Sequence, residues 1–210
     1  YQGENDVHHA PLYSKLFETL ISEWRKIWGQ DIPFIFAQLA PFGEWLALDG
    51  AIFPEIRRQQ EIISKTVTGC YMISTSDVGM RYDIHPKEKK ALGHRYFLQA
   101  MDKVYGKHCL ADAPSLHSVE VSENEIRLTI ENAGAGMHME MSDFSLFDLR
   151  HDGEAIPIIC AEKNGNMIVL KTSEKINKPI TISFGHMPYY QVQLYNSAKI
   201  PCVPFVVQVP

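Results

Sequence analysis

The residues of this 210-residue chain best suited to chemistry are a histidine and two small groups of carboxylates and amides. His85 lies in Asp83-Ile84-His85-Pro86, and the chain opens Tyr1-Gln2-Gly3-Glu4-Asn5-Asp6. An ordinary imidazole titrates near pH ~6.5, so His85 can take a proton from a hydroxyl and return it to a leaving oxygen at neutral pH. Glu4, Asp77 and Asp83 each offer a carboxylate that could orient such a ring. The partner such a base would activate is not evident: the chain contains no Gly-x-Ser arrangement, and Ser74 and Ser76 lack the strand-turn context of a nucleophile.

These residues need a scaffold that brings position 2 and position 85 together. Tyr13, Leu16, Phe17, Leu20, Ile21, Trp24, Ile27 and Trp28 recur at three- and four-residue steps, and Gly29 stops the pattern, which predicts a core-facing helix over 11–28. Asp6 is a candidate cap for that helix. Ile32 to Leu39 is a continuous apolar run of strand length, as in a parallel strand covered on both faces. Pro54 suits the first turn of a second helix carrying Ile56, Ile62 and Ile63. Cys70 to Ile73 reads as a second buried strand. A third helix is expected from Pro86 to Gly106, with Lys87-Glu88-Lys89-Lys90 as solvated first turns and Leu92, Phe97, Ala100, Met101, Val104 and Tyr105 facing inward.

Strand and helix alternating in this way predict an α/β fold, a parallel sheet with helices on its faces. Ligands of such sheets bind beyond the carboxyl ends of the strands. Residues 2–9 and 75–85 both belong to that edge, so Gln2, Glu4 and His85 can converge there.

Past about residue 110 the period changes to two. Short strands are expected at 118–121, 126–130, 144–149, 156–161, 167–171 and 180–184, with turns at Glu123-Asn124, Asp152-Gly153 and Asn164-Gly165-Asn166. That pattern predicts a small antiparallel, β-sandwich-like domain. The boundaries expected are 1–108 for the α/β domain, 109–186 for the β-rich accessory domain and 187–210 for an extended C-terminal tail packed back on the fold.

Composition bounds the partners. A net charge of -5 and a pI near 6.0 argue against nucleic acid or an acidic membrane surface. The apolar stretch at 32–40 is too short to span a bilayer. Cys70, Cys109, Cys160 and Cys202 form no CxxC pair, and His8-His9 has no spaced co-ligands, so no metal is expected. A disulfide between two of the cysteines other than Cys70 is compatible with their spacing.

The chain resembles the sialate O-acetylesterases, a branch of the SGNH hydrolases. The residues that carry the likeness are Tyr1-Gln2-Gly3-Glu4, Trp24-Arg25, Pro33-Phe34, Gln38-Leu39-Ala40-Pro41-Phe42, the spaced pair Arg57 and Gln60, Ile84-His85-Pro86, Tyr195-Asn196 and Pro201-Cys202-Val203-Pro204-Phe205. The resemblance implies part of a three-layer, flavodoxin-like SGNH hydrolase domain followed by the β-rich unit. It implies removal of acetyl groups from a sugar, 9-O-acetyl sialic acid or a related acetylated carbohydrate, by a Ser–His mechanism that needs no cofactor.

His85 would be the base, and Asp83, Glu4 or Asp77 the carboxylate behind it. Many SGNH enzymes place an Asp three residues before the His, where this chain has Tyr82. Gln2 and Gly3 would serve the oxyanion block, Asn5 would line the pocket and Trp45 would stack on the sugar. The serine is expected from an N-terminal segment outside these residues. A secreted, periplasmic or lysosomal setting follows by the same analogy. The alternatives are a carbohydrate-binding or structural protein that lost catalysis, and an SGNH esterase or lipase acting on non-sugar esters.

Overall fold

The computed structural model describes residues 1–46, 48–139 and 144–210. The chain divides into two compact units, residues 1–112 with 187–191, and residues 113–186 with 192–210. The boundary falls four residues beyond the expected 108, and the chain returns to the first unit for five residues at 187–191.

In the first unit, helix α1 (Tyr13–Trp28) leads to strand β1 (Phe34–Ala37). Gly29 ends α1 in the left-handed conformation, φ 65°, with Gly29 N–H on the Lys26 carbonyl and Gln30 N–H on the Arg25 carbonyl. That doubly bonded stop is why the pattern breaks at a glycine. The hairpin β2 (Glu44–Trp45) and β3 (Leu48–Asp49) follows, then α2 (Phe53–Thr66) with Pro54 in its first turn, β4 (Cys70–Ile73) and α3 (Lys89–Gln99).

β1 and β4 pair in parallel, Phe34 opposite Cys70 through Ala37 opposite Ile73. Side chains alternate across this ladder. Phe36 and Cys70 pack with Ile21 and Ile63 from α1 and α2 on one face. Ala37 and Ile73 pack with Leu92 from α3 on the other. Both strands are therefore apolar throughout, as the uninterrupted runs foretold.

Two helices differ from expectation. On α1 only Tyr13 and Ile21 are buried, whereas Leu16, Leu20, Trp24, Ile27 and Trp28 are 47–79% exposed. The third helix begins at Lys89 rather than Pro86, because Glu88 is still non-helical, and its last turn widens into a π-helical segment, Ala100–Val104. Its buried residues are Leu92, Arg95 and Gln99, while Phe97, Val104 and Tyr105 face solvent. The inward positions accept polar residues because each has partners: Arg95 binds Asp77, and Gln99 donates to the Ala111 carbonyl and to Asp112.

Among the described residues every strand pair in the second unit is antiparallel. One sheet orders β10 (Ile158–Asn164), β11 (Met167–Thr172), β6 (Glu125–Glu131) and β5 (Ser115–Ser122). The other orders β14 (Phe205–Val209), β12 (Ile180–Phe184), β8 (Phe147–His151) and β9 (Glu154–Ala155). A third, two-stranded sheet joins β13 (Leu194–Tyr195) to β7 (His138–Met139). Ile126, Leu128 and Ile130 alternate inward on β6 at 0% exposure.

Asp152 and Gly153 both have positive φ, the geometry of a two-residue turn between His151 and Glu154. The C-terminal residues, expected as an extended tail, contribute β14 to the second sheet. Buried Asn196 ties that region down, donating to the Asn132 carbonyl and accepting from the Ala198 and Ile200 amides. None of the four cysteines is bridged, and among the described residues no helix is long and apolar enough to cross a membrane.

Truncating Leu128 to Ala should cost about 2–5 kcal/mol in urea unfolding, because it opens a cavity in a closed core. The same change at Ile159, 59% exposed on β10, should stay within about 0.5 kcal/mol. Equal costs at the two positions would contradict this packing.

Candidate active site

The carboxyl ends of β1 and β4 release the segments 38–42 and 74–85. Buried amides knit the first of these to the N-terminal segment. Gln60, on α2, accepts from the Leu39 amide through Oε1 (2.8 Å) and donates from Nε2 to the Gln2 carbonyl (3.0 Å). The Tyr13 hydroxyl donates to Gln2 at its carbonyl (3.1 Å) and its Oε1 (2.9 Å), and burial pushes that phenol up to about 12. Gln2 is thus gripped from two helices, and its Nε2 donates to Asp6.

Asp6 is therefore engaged with Gln2. It does not cap α1, whose N-cap is Leu12 with no side-chain hydrogen bond. Gly3 is buried at φ 142°, and a Cβ there would stand 3.1 Å from Ile56 Cγ2 and 3.2 Å from Leu39 Cδ1. Glycine is what lets this backbone lie on the core. Glu4 and Asn5 follow in a 3-10 turn that runs from Glu4 to Leu12.

Beyond β4, Asp83 and His85 form a tight local unit. Asp83 Oδ1 accepts the His85 backbone N–H at 2.9 Å and stands 3.4 Å from His85 Nδ1, and Lys87 Nζ is 3.4 Å from Oδ2. The His85 amide, with Lys87 adding, lowers the Asp83 carboxyl below its usual range. The ring of His85 is exposed, and the Trp45 ring meets it edge-on, with centroids 5.6 Å apart. Ile84, between them, is buried in the same cluster as Leu39 and Ile56, the two residues beneath Gly3.

The structure thus brings Asp83, His85 and Trp45 into contact, and sets Gln2 and Gly3 on the core that Ile84 also joins. Among the described residues Glu4 makes no ion pair with His85. Asp77 is gripped by Arg95 through two bonds of 2.7 and 2.6 Å. Arg95 also holds the Ser74 carbonyl at 3.0 Å, so the Asp77–Arg95 pair braces the loop. Ser74 and Ser76 are buried and share a hydroxyl chain that reaches Tyr190, Ser76 Oγ lying 3.1 Å from its phenol oxygen.

The sequence did not reveal what Arg57 does. It is 1% exposed on α2, bonds the carbonyls of Met187 and Pro188, and lies 5.4 Å from the Tyr190 ring centroid. Burial lowers its pKa. The available signal was Arg57, Gln59 and Gln60 standing among the core positions Ile56 and Ile63 of one helix. Gln38 Oε1 and Arg57 Nε are buried with no partner among the described residues. No group of three metal-ligating side chains occurs among those residues.

The Asp83 geometry makes a pH prediction. A carboxyl held below its ordinary value stabilises the fold above the unfolded pKa of about 3.9 and loses that effect as pH falls through the lower folded value. Carboxyl-carbon NMR should show Asp83 titrating below about 3.9 in the wild type. A midpoint at or above that value would refute the amide and lysine contacts.

No family model matches the sequence. The sialate O-acetylesterase of Mus musculus is 24% identical over 240 aligned residues, which take in 100% of this chain and 43% of the relative. The sialate O-acetylesterase of Rattus norvegicus matches at 24% over 239 residues, with the same shares. The chain therefore spans less than half the length of the curated relatives it matches. In fold it is similar to a carbohydrate acetylesterase from Xanthomonas citri, with a TM-score of 0.82 at 23% identity over 99% of this chain and 49% of that one. Along its whole length this chain is therefore similar in sequence to sialate O-acetylesterases and in fold to a carbohydrate acetylesterase.

Proposed function

We propose that this chain is part of a carbohydrate O-acetylesterase. It would carry the histidine base and substrate-facing loops of a three-layer, SGNH-type parallel-sheet domain, followed by a sandwich-like accessory domain. The observation that carries the reading is the Asp83–His85 unit beyond the carboxyl end of β4. Asp83 faces Nδ1, which leaves Nε2 as the nitrogen available to a hydroxyl.

In this mechanism a serine from outside residues 1–210 gives its proton to His85 Nε2 while its Oγ attacks the acetyl carbon. The sugar oxygen leaves with that proton, and water then releases acetate from the acyl-enzyme by the same route reversed. Gln2 supplies an amide N–H toward the oxyanion, and Gly3 lets the backbone approach. Asn5 lines the pocket, and Trp45, beside the base, offers a ring face to the sugar. Asp83 has the contact that the orienting role requires, which favours it over Glu4. No cofactor enters the reaction.

The leading substrate is 9-O-acetyl sialic acid, with other acetylated sugars as the nearest class. A secreted, periplasmic or lysosomal setting fits such a substrate.

The test uses the full-length protein and follows acetate release from 9-O-acetyl sialic acid and from an acetylated xylo-oligosaccharide. His85→Ala should lower kcat by about 10²–10⁴-fold with the fold intact. Undiminished turnover in that variant would remove His85 from the mechanism. Hydrolysis of simple acyl esters with no release from either sugar would favour the non-sugar esterase.

A further inference from the structure

Arg81 stands apart from the other six arginines of this chain. Arg25 and Arg57 bond backbone carbonyls, and Arg58, Arg95, Arg127 and Arg150 each pair with a carboxylate. Among the described residues the Arg81 guanidinium has no hydrogen bond and no ion pair. What it has is two aromatic rings: its Cζ lies 5.9 Å from the ring centroid of Tyr82 and 5.6 Å from that of Tyr189. Both rings belong to the first unit, Tyr189 through the returning segment 187–191. Arg81 and Tyr82 are both exposed, so the cation is held without being covered. A guanidinium resting on ring faces keeps its in-plane N–H donors free.

The backbone beneath it is firmly seated. The Arg81 carbonyl accepts the amides of Gly43 (3.2 Å) and Glu44 (2.9 Å), and Met80 bridges Phe42 in parallel, which prolongs the approach of the segments leaving β1 and β4. These backbones touch because glycines permit it. A Cβ on Gly43 would stand 2.8 Å from the Arg81 carbonyl oxygen, and one on Gly79 would collide with the Pro41 carbonyl. The hairpin that grips Arg81 through Gly43 and Glu44 also carries Trp45, whose ring meets His85 with centroids 5.6 Å apart. Arg81 and His85 are four positions apart, so their Cα atoms lie within about 14 Å of each other. An open cation and the candidate base thus stand on one loop, against one hairpin. Lys87, the cation beyond His85, is already occupied by Asp83, 3.4 Å from its Oδ2.

We propose that Arg81 reads the charge of the substrate: its guanidinium takes the carboxylate of an acidic acetylated sugar while His85 serves the ester. A carboxylate is the group that fits, because the planar guanidinium presents two parallel N–H donors to its two oxygens. A fork already laid on two rings loses little freedom on binding. A neutral acetylated sugar offers this cation no charge to pair with. A sialic acid acetylated on its glycerol side chain carries carboxylate and ester at opposite ends, as a cation and a base several residues apart require. The assignment rests on His85 being the base of an acetylesterase, and it adds the group that separates acidic sugars from neutral ones.

The experiment uses the full-length protein and compares 9-O-acetyl sialic acid with its C1 methylamide, which keeps the ester and removes the charge. In the wild type, kcat/KM for acetate release should be higher for the acid. Arg81→Ala should lower the value for the acid by about 10- to 100-fold, the loss expected for a hydrogen bond to a charged group, and chiefly through KM. The variant should turn over the methylamide as the wild type does, so the preference for the acid disappears. Arg81→Lys, with the charge but not the fork, should fall between. Added salt should raise KM for the acid in the wild type and leave it unchanged in Arg81→Ala.

Undiminished kcat/KM for the acid in Arg81→Ala would overturn the proposal. So would an equal loss on both substrates, which is the mark of a structural role. If the wild type releases acetate from neither compound, the esterase reading fails by itself and binding decides this one. Free sialic acid, titrated by calorimetry, should then bind the wild type about tenfold or more tightly than Arg81→Ala. Equal affinities would refute the carboxylate site.

Discussion

The parallel ladder between β1 and β4 is the constraint on which the site depends. Four residue pairs fix the point at which both strands end and so the edge from which segments 38–42 and 74–85 depart. Strands this short hold together only when both faces are covered, and the apolar contacts from α1, α2 and α3 meet that condition. Without the ladder, nothing would bring the N-terminal segment near a histidine some eighty positions later.

Around the ladder, buried polar groups do what apolar packing cannot, which is to fix register and direction. Gln60 satisfies the first backbone amide beyond the Gln38 carbonyl and at the same time holds Gln2. Thr75 donates to the Gln38 carbonyl at 2.6 Å, tying the segment after β4 to the segment after β1. Arg57 bonds the carbonyls of residues 187 and 188, and the Phe42 amide donates to the Pro188 carbonyl, so residues 187–191 belong to the first unit. Each of these groups would be costly to bury unpaired.

Much of this was legible in the sequence where one signal dominated. The change of period near residue 110, the apolar runs at 32–39 and 70–73 and the turn residues of the second unit all report local patterning that folding preserves. The closeness of Asp83 to His85 follows from their spacing. Reading failed where a residue's fate depends on a partner far along the chain. Asp77 looks like any loop carboxylate until Arg95 is seen beside it, and Arg95 and Gln99 occupy inward positions that hydrophobic period alone assigns to Phe97 and Tyr105. The apolar stripe of α1 was read as core by the same rule. It is core in character, yet only part of it has something to pack on among the described residues.

The central claim is that His85 serves a serine that these 210 residues do not contain. A serine-directed fluorophosphonate applied to the full-length protein, with the adduct located by peptide mapping, tests it most directly. The account predicts one modified serine outside residues 1–210 and loss of labelling in the His85→Ala variant. An adduct on Ser74 or Ser76, or labelling indifferent to His85, would contradict it.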